Sequence, residues 1–356
     1  MLSKLFSQIG QSLLVAFGVV TVVFFLFSVL PGDPARMMMG QQEDSELMEV
    51  IYKRYGFDKP LGQQYLYYLN DLSPISLHPE SGFGQWDADV YSGQAITGIG
   101  DWTLAIKWPY LRQSFQRSCV SVGRILGGVL PNTLLLAYSA ILIAILLGIP
   151  MGLLAARFKD GTLDRTLVLL SSLGMSLPSF FSAILIAWLF GFVWHEWTGL
   201  EMNGSLYEMD DYGEAVRIRW KNLILPALTL GIRPLGVITQ LTRGSVLEVL
   251  QLDYIRTARS KGIEEWRVFL LHALPNALTP VVTAISGWFA SMLAGAVFVE
   301  YIFGWNGLGK ALVEALNLLD LPVVMGAVLI IGLLFVLVNI AVDLTYALID
   351  PRLRSK

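Results

Sequence analysis

From Asp253 to Pro275 the chain reads DYIRTARSKGIEEWRVFLLHALP, a charged, helix-compatible stretch set between two apolar runs, Asn222–Thr242 and Ala273–Val299. How this island is read depends on what its flanks are. A helix crosses a bilayer with about 20 apolar residues. Leu5–Leu30, Ile125–Ala156, Thr166–Trp194, Ala273–Val299 and Leu321–Val342 contain no Asp, Glu, Lys or Arg, and Asn222–Thr242 contains only Arg233. Apolar residues make up 54% of the 356-residue chain and charged residues 15%, against roughly 25% charged in soluble proteins. The mean hydropathy is +0.59. The expected fold is an all-α membrane protein with six transmembrane helices, and 253–275 is then a connection between the fourth and fifth.

Orientation follows from Lys and Arg in the short connections. With the N-terminus inside, the inner segments carry Lys4, then Arg157, Lys159 and Arg165, then Arg243, Arg256, Arg259, Lys261 and Arg267, and finally Arg352, Arg354 and Lys356. The short outer loops carry only Arg217, Arg219, Lys221 and Lys310. Both termini are therefore expected in the cytoplasm. The first run reads as a retained helix rather than a signal peptide, because it is long and is followed by Leu30-Pro31-Gly32-Asp33-Pro34 with no small-residue cleavage site. The linear organisation is a first transmembrane helix (1–30), an extracytoplasmic region (31–124), a five-helix core (125–350) containing the 253–275 loop, and a cytoplasmic tail (351–356).

The outer region is too long for a simple connector. Ser45–Tyr55 and Leu61–Leu72 have helical spacing, whereas 73–101 is rich in Gly, Ser, Pro and Asp and reads as irregular. Ile106–Arg117, with Trp108, Tyr110 and Phe115, suits the outer membrane surface. Within the spans, Gly148 and Gly152 give a GxxxG spacing that lets two backbones approach. Pro178, Pro226, Pro234 and Pro280 are expected to kink helices or mark their ends. The single Cys119 excludes an internal disulfide.

The inner island is amphipathic. Tyr254, Ala258, Ile263, Trp266, Phe269 and Leu270 offer apolar contacts, and Arg256, Arg259, Lys261 and Arg267 lie between them. Gly262 is placed to end one short helix, with Ile263–Leu271 forming a second. Two readings fit these residues equally: a knob that fills a partner's groove, or a loop lying on the lipid surface.

DYIRTARSKG followed by HALPNALTPVV resembles the dipeptide/oligopeptide/nickel permease family of ATP-binding-cassette (ABC) importers. LPGDPA (Leu30–Ala35), GFDKPLGQQYLYYL (Gly56–Leu69), LPNTLLLA (Leu130–Ala137), GMSLPSFF (Gly174–Phe181), EYIFGWNGLG (Glu300–Gly309) and LIDPRLR (Leu348–Arg354) follow the family in order. The general importer pattern has Glu-Ala-Ala before the loop glycine; Arg256-Thr257-Ala258 here is typical of the peptide branch. Asn306 departs from the usual Pro, and the outer loop is longer than usual around His78–Trp108. The resemblance implies a permease subunit in a bacterial inner membrane, forming half of a peptide path. It implies as partners a second, similar permease, two ABC ATPase subunits and an extracytoplasmic solute-binding protein. Nickel or another small solute is the alternative cargo, and an ATP-independent channel or a membrane sensor is the alternative class. By the same resemblance Tyr254, Arg256, Ala258, Gly262, Trp266, Leu274 and Pro275 belong to the ATPase-coupling loop.

Two residues are candidates for the substrate path. Arg233 is the one basic residue within a spanning run, roughly 16 Å from its start at 1.5 Å per residue. Intramembrane charges face polar interiors or partners, so it either attracts a peptide carboxylate or pairs with an acidic group. Glu300, at the end of the fifth span, either lines a gate or caps the turn in Tyr301–Gly309. Asp343 reads as structural. Gly304-Trp-Asn-Gly-Leu-Gly309-Lys310 fits GxxxxGK formally but has Ala311 where a phosphate loop needs Ser or Thr, and no strand before it. His78, His195 and His272 fall in separate loops without metal-ligand spacing. No catalytic residue, metal, cofactor or nucleic-acid partner is expected.

Overall fold

The computed structural model describes residues 2–29, 45–117, 120–209 and 216–349. Leu30–Ala35, Cys119 and the tail 351–356 lie outside the described residues, as does the Asp343 side chain. From the N-terminus the longer helices are α1 (Leu2–Val29), α2 (Ser45–Tyr55), α3 (Leu61–Leu72), α4 (Val122–Arg157), α5 (Thr162–Ser176), α6 (Ser179–Trp188), α7 (Lys221–Val249), α8 (Asp253–Ser260), α9 (Leu274–Phe303), α10 (Leu308–Asn317) and α11 (Leu321–Ile349). Among the described residues, five helical segments are able by length and composition to cross a membrane: Gly10–Ser28, Val122–Arg157, Lys221–Val249, Glu265–Leu293 and Leu321–Ala341. The pair α5–α6 is the sixth if counted as one span.

That pair is the uncharged run Thr166–Trp194, and it breaks at Pro178, one of the prolines expected to kink a helix or mark its end. Its halves meet at 110°. Pro178 has no N–H to continue the ladder, and its ring forces the preceding residue out of helical geometry; Leu177 sits at φ −76°, ψ 133°. Pro226, Pro234 and Pro280, by contrast, lie inside continuous helices.

The contacts group the chain into two compact units, Met1–Val129 with Ala311–Leu333, and Leu130–Lys310 with Leu334–Lys356. In the first, α3 packs on α1 through Phe24, whose ring centroid lies 5.2 Å from that of Tyr65 and 5.4 Å from that of Tyr68. The stretch read as irregular, 73–101, contributes two strands to a three-stranded antiparallel sheet in the order β1 (Ile75–Pro79), β3 (Trp102–Lys107), β2 (Gly93–Ile99), β3 following it directly. Ile75 pairs with Ile106 and Leu77 with Leu104. The alternation is inverted: Ser76, His78, Ala105 and Lys107 are buried, while Ile75, Leu77, Trp102 and Ile106 are exposed. Beneath the sheet, Arg112 Nε pairs with Asp71 Oδ2 at 3.0 Å, and Lys107 Nζ donates to the Asp71 carbonyl. Burial pushes the Asp71 carboxyl up against the pull of Arg112, and pushes the His78 imidazole and Lys107 amine down. Ser114 Oγ and the Phe115 N–H, the latter at 3.0 Å, donate to Asp320 immediately before α11.

The second unit is organised on α7. Glycines bring its neighbours to backbone distance: a Cβ on Gly148 would stand 2.9 Å from Ile238, one on Gly152 2.6 Å from the Thr239 carbonyl, and one on Gly231 2.8 Å from that of Ala140. The GxxxG of α4 is thus a packing surface against α7. Leu136, Ala140, Leu225, Leu293, Val299 and Phe303 fill the core beside it.

Candidate coupling loop and path residues

The inner island folds as two short arms. Asp253 occupies the first turn of α8 and Arg259 its last, each at the end where the helix dipole favours its charge. Ile255 and Ala258 point inward and pack with Val246, Val249, Val268, Ala273 and Ala277. Gly262, at φ +75°, ends the first arm. Its N–H donates to the Arg259 carbonyl at 2.9 Å, and the Ile263 N–H donates to that of Ala258 at 3.4 Å. This is the Schellman pattern, which needs a left-handed residue after the cap. The second arm is one turn at Glu265–Arg267 followed by a π-helical turn, Val268–Ala273, which runs directly into α9.

The two arms are tied across the glycine by Arg259 Nε and Glu265 Oε1 at 2.9 Å. Tyr254 donates to the His272 carbonyl at 3.2 Å and accepts from Asn276 Nδ2 at 2.8 Å. The Trp266 indole donates to Glu264 at 2.7 Å, and the Arg267 guanidinium stands 5.1 Å from the Trp266 ring centroid. Of the residues expected to contact a partner, Tyr254, Arg256, Trp266, Leu270 and Pro275 are exposed. Ala258 is not: it is buried in the core between the loop and the ends of α4, α7 and α9, against which Ile263 and Phe269 also pack. Its role is to shape the knob, and Leu274, half-buried, joins it to α9.

Arg233 lies on α7, exposed, with its guanidinium carbon 5.8 Å from the Trp288 ring centroid on α9. Within the chain its neighbour is thus an aromatic face on α9. Glu300 takes the capping geometry. It is fully buried; Thr133 Oγ1 donates to Oε1 at 2.7 Å, and the N–H groups of Gly309 and Lys310 donate to Oε2 at 2.6 and 3.3 Å. Any Cβ on Gly307 would collide with that carboxylate, and one on Gly309 with Val297. The carboxylate therefore serves the start of α10 rather than an open path.

Two features were missed. LPNTLLLA and EYIFGWNGLG, noted as separate motifs, form one network: Asn132 Nδ2 donates to the Asn306 carbonyl at 2.7 Å, the Trp305 indole to the Asn132 carbonyl at 3.0 Å, and the Leu308 N–H to Thr133 Oγ1 at 2.8 Å. The other is a bidentate pair, Arg243 Nε to Asp164 Oδ1 at 2.6 Å and Arg243 Nη2 to Oδ2 at 2.7 Å, joining α7 to the first turn of α5. An Asp just after Gly161, at a helix start, was the available signal.

Residues 148–355 match the family model for the binding-protein-dependent transport system inner membrane component, and residues 1–77 match the model for the N-terminal part of such membrane components. The di/tripeptide transport system permease protein DppB of Pseudomonas aeruginosa (strain UCBPP-PA14) is 35% identical over 375 residues, covering 100% of both chains. The dipeptide transport system permease protein DppB of Escherichia coli (strain K12) is 34% identical over 376 residues, again covering 100% of both. Among solved structures, inward-facing conformations of the MetNI methionine ABC transporter align with a TM-score of 0.50 at 16% identity, over 64% of this chain and 97% of theirs; that likeness concerns the fold. The chain belongs to the family of binding-protein-dependent transport system inner membrane components, multi-spanning transporter subunits rather than enzymes.

Proposed function

We propose that this chain is the transmembrane subunit of an ATP-driven importer of dipeptides or oligopeptides, and that it forms half of the translocation path. The observation that carries this reading is the inner loop. Its two arms are fixed to each other by the Gly262 turn, the Arg259–Glu265 pair and an apolar core shared with the inner ends of α4, α7 and α9, while Tyr254, Trp266 and Leu270 remain outward. A preorganised knob with exposed aromatic and apolar tips suits a protein groove better than a sliding contact with lipid. Peptide cargo is supported by the names of the relatives, which are dipeptide and di/tripeptide permeases.

In this reading both termini and the loop 253–275 are cytoplasmic, and two ABC ATPase subunits engage this loop and that of a second, similar permease. An extracytoplasmic binding protein delivers peptide, and the outward apolar face of the sheet, with Ile75, Leu77 and Ile106, supplies contact area on that side. Arg233, stacked beside Trp288, lines the path and attracts the peptide carboxylate. Alternating access then requires the binding protein and ATP to favour different states of the pair.

The test is to tag the chain, extract it gently from its native membrane and identify what co-purifies, then assay the reconstituted assembly. Recovery with a second permease and ATPases, and ATP hydrolysis stimulated by dipeptide and binding protein, is the expected result. Recovery alone or as a homo-oligomer in several detergents, with conduction in the absence of ATP, would replace the importer with a channel.

A further inference from the structure

The first unit holds a cavity of about 380 Å³ that none of the roles above uses, within the roughly 300–1,000 Å³ of small-molecule sites. Two of its walls are the ends of spanning helices. Phe24, Phe27 and Ser28 come from the C-terminal end of α1, and Leu321 and Met325 from the N-terminal end of α11. These helices touch where Gly332 faces Val19, a Cβ there standing 2.8 Å from Val19 Cγ1. Eight residues further along α1, about 12 Å at 1.5 Å per residue, Phe27 lines the cavity. Both walls lie within the apolar segments Gly10–Ser28 and Leu321–Ala341. The surroundings of this end are therefore bilayer rather than water alone.

The remaining wall is largely aromatic and aliphatic, with Phe57, Leu61, Leu111 and Phe115, but it carries a few polar groups. Tyr68 is buried, and its hydroxyl is shielded from solvent with no hydrogen-bond partner. Buried hydroxyls are almost always satisfied, and an orphan calls for an explanation. Arg112 also lines the cavity, with its guanidinium carbon 5.6 Å from the Tyr68 ring centroid. Its Nε is committed to Asp71, and among the described residues its two terminal nitrogens donate to no acceptor. The backbone of Arg112 sits at φ +66°, a left-handed conformation a non-glycine residue seldom adopts. Lys107, buried on the far side of Asp71, leaves the cluster with one more cation than carboxylate. A largely apolar slot walled by the ends of two spans, with an orphan hydroxyl and a half-used guanidinium, is complementary to an acyl chain carrying a phosphate.

We propose that this cavity is a phospholipid site: one acyl chain of a bilayer glycerophospholipid enters between the ends of α1 and α11, and its phosphate takes Arg112 and the Tyr68 hydroxyl. Cationic and amphipathic aromatic side chains at the interface are the groups that anchor proteins to headgroups. Here they face inward on a bound lipid, which joins the outer sheet domain to the membrane.

The experiment uses the full chain in its purified assembly, in nanodiscs containing a phosphatidylglycerol with a diazirine on one acyl chain. Photolysis and peptide mass spectrometry locate the adducts. Enrichment on the peptides holding Phe24–Ser28 and Leu321–Met325, relative to exposed apolar positions such as Leu146 and Leu169, is expected. Ser28→Trp, which fills the cavity, should lower that enrichment by about tenfold, a 1.4 kcal/mol loss, without changing labelling elsewhere. Tyr68→Phe keeps the ring and removes only the hydroxyl, so it tests the site even if the tryptophan variant fails to fold. It should lower capture of the phospholipid several-fold and leave capture of a diacylglycerol bearing the same diazirine unchanged. Labelling spread evenly over the spans, or capture indifferent to both variants, overturns the site. A diacylglycerol captured as well as the phospholipid by the wild type overturns the phosphate assignment.

Discussion

Replacing Gly262 separates a loop that works by its shape from one that merely touches its partner. The residue is at φ +75°, and a Cβ built there meets nothing within 4 Å inside the chain. The cost of substitution within this subunit is therefore backbone strain alone, about 1–2 kcal/mol for an ordinary L-residue held left-handed, and more for a β-branched one. The loop core of Ile255, Ala258, Val268 and Ala273 is large enough to keep the arms folded, so the subunit should still assemble. What changes is the turn: a penalty of one or two kcal/mol shifts its occupancy by a factor of about 5–30. Asn, which tolerates the left-handed region, should behave nearly as glycine; Ala should be intermediate and Val worst. The assay is ATP hydrolysed per dipeptide taken up by reconstituted vesicles, with co-purification of the ATPase checked for each variant. Wild-type coupling in Gly262→Val would remove the loop from the coupling mechanism. Equal defects in Gly262→Asn and Gly262→Val would leave coupling in place but locate the sensitivity in a partner's surface rather than in the turn.

Three further outcomes follow from named contacts. Glu300→Gln sets an amide NH2 among the donors of Thr133, Gly309 and Lys310 and should cost about 1–3 kcal/mol, as for a charge-assisted hydrogen bond lost; thermal unfolding with a Thr133→Val double-mutant cycle measures it, and normal stability with abolished transport would restore Glu300 to the path. Asp164→Asn loses half of a bidentate pair and leaves Arg243 without its carboxylate, so hydrogen exchange at the start of α5 should accelerate, by less when Arg243→Met is added, because a partly buried charge left unpaired costs more than an absent pair. His78, fully buried, is held below its ordinary value by desolvation. The unfolded chain therefore binds a proton first as pH falls below about 6.5, and the His78 contribution is present above that pH and lost as pH falls through the depressed folded value. Exchange protection of residues 75–107 should drop from pH 7 to pH 5 in the wild type but not in His78→Gln, and an unchanged slope in that variant would assign the loss to other groups.

The spans were legible because uncharged runs long enough to cross a bilayer have few competing explanations. The outer helices at Ser45–Tyr55 and Leu61–Leu72 fell where the spacing of their apolar residues put them. The sheet that follows them was not legible, for a physical reason. In β1 and β3 the inward positions are Ser76, His78, Ala105 and Lys107, and the outward ones are Ile75, Leu77, Trp102 and Ile106, so the period-2 pattern is present with its polarity reversed. Burying Lys107 and His78 depends on the Asp71 carbonyl, Ser76 and Gly84, partners that no local pattern announces. For Glu300 the sequence allowed both a gate and a cap, and only the convergence of Thr133 and Gly309, from far and near in the chain, shows the capping geometry.

The placement of α9 joins the loop to everything else. The second arm of the loop passes through the π turn Val268–Ala273 into α9 without a break. α9 then runs for 30 residues, about 45 Å at 1.5 Å per residue, past Trp288 beside Arg233 to Glu300 at the opposite end. A continuous helix does not compress, so a displacement applied at 265–273 must either be taken up in the π turn or arrive at the far turn. The π turn is one irregularity in that ladder, of a kind that favours functional positions, and Pro280, which has no N–H to donate, is another. Beyond them there is little slack: Gly148 and Gly152 of α4 seat that helix directly on α7, and Leu293 and Val299 of α9 share a core with Leu225 and Leu230 of α7. The far end is fixed just as firmly, because Glu300 is bonded to Thr133 of α4 and to the first turn of α10. A push at the loop would therefore move α4, α7 and α9 together, with Arg233 and Trp288 carried as one surface rather than as two side chains changing places.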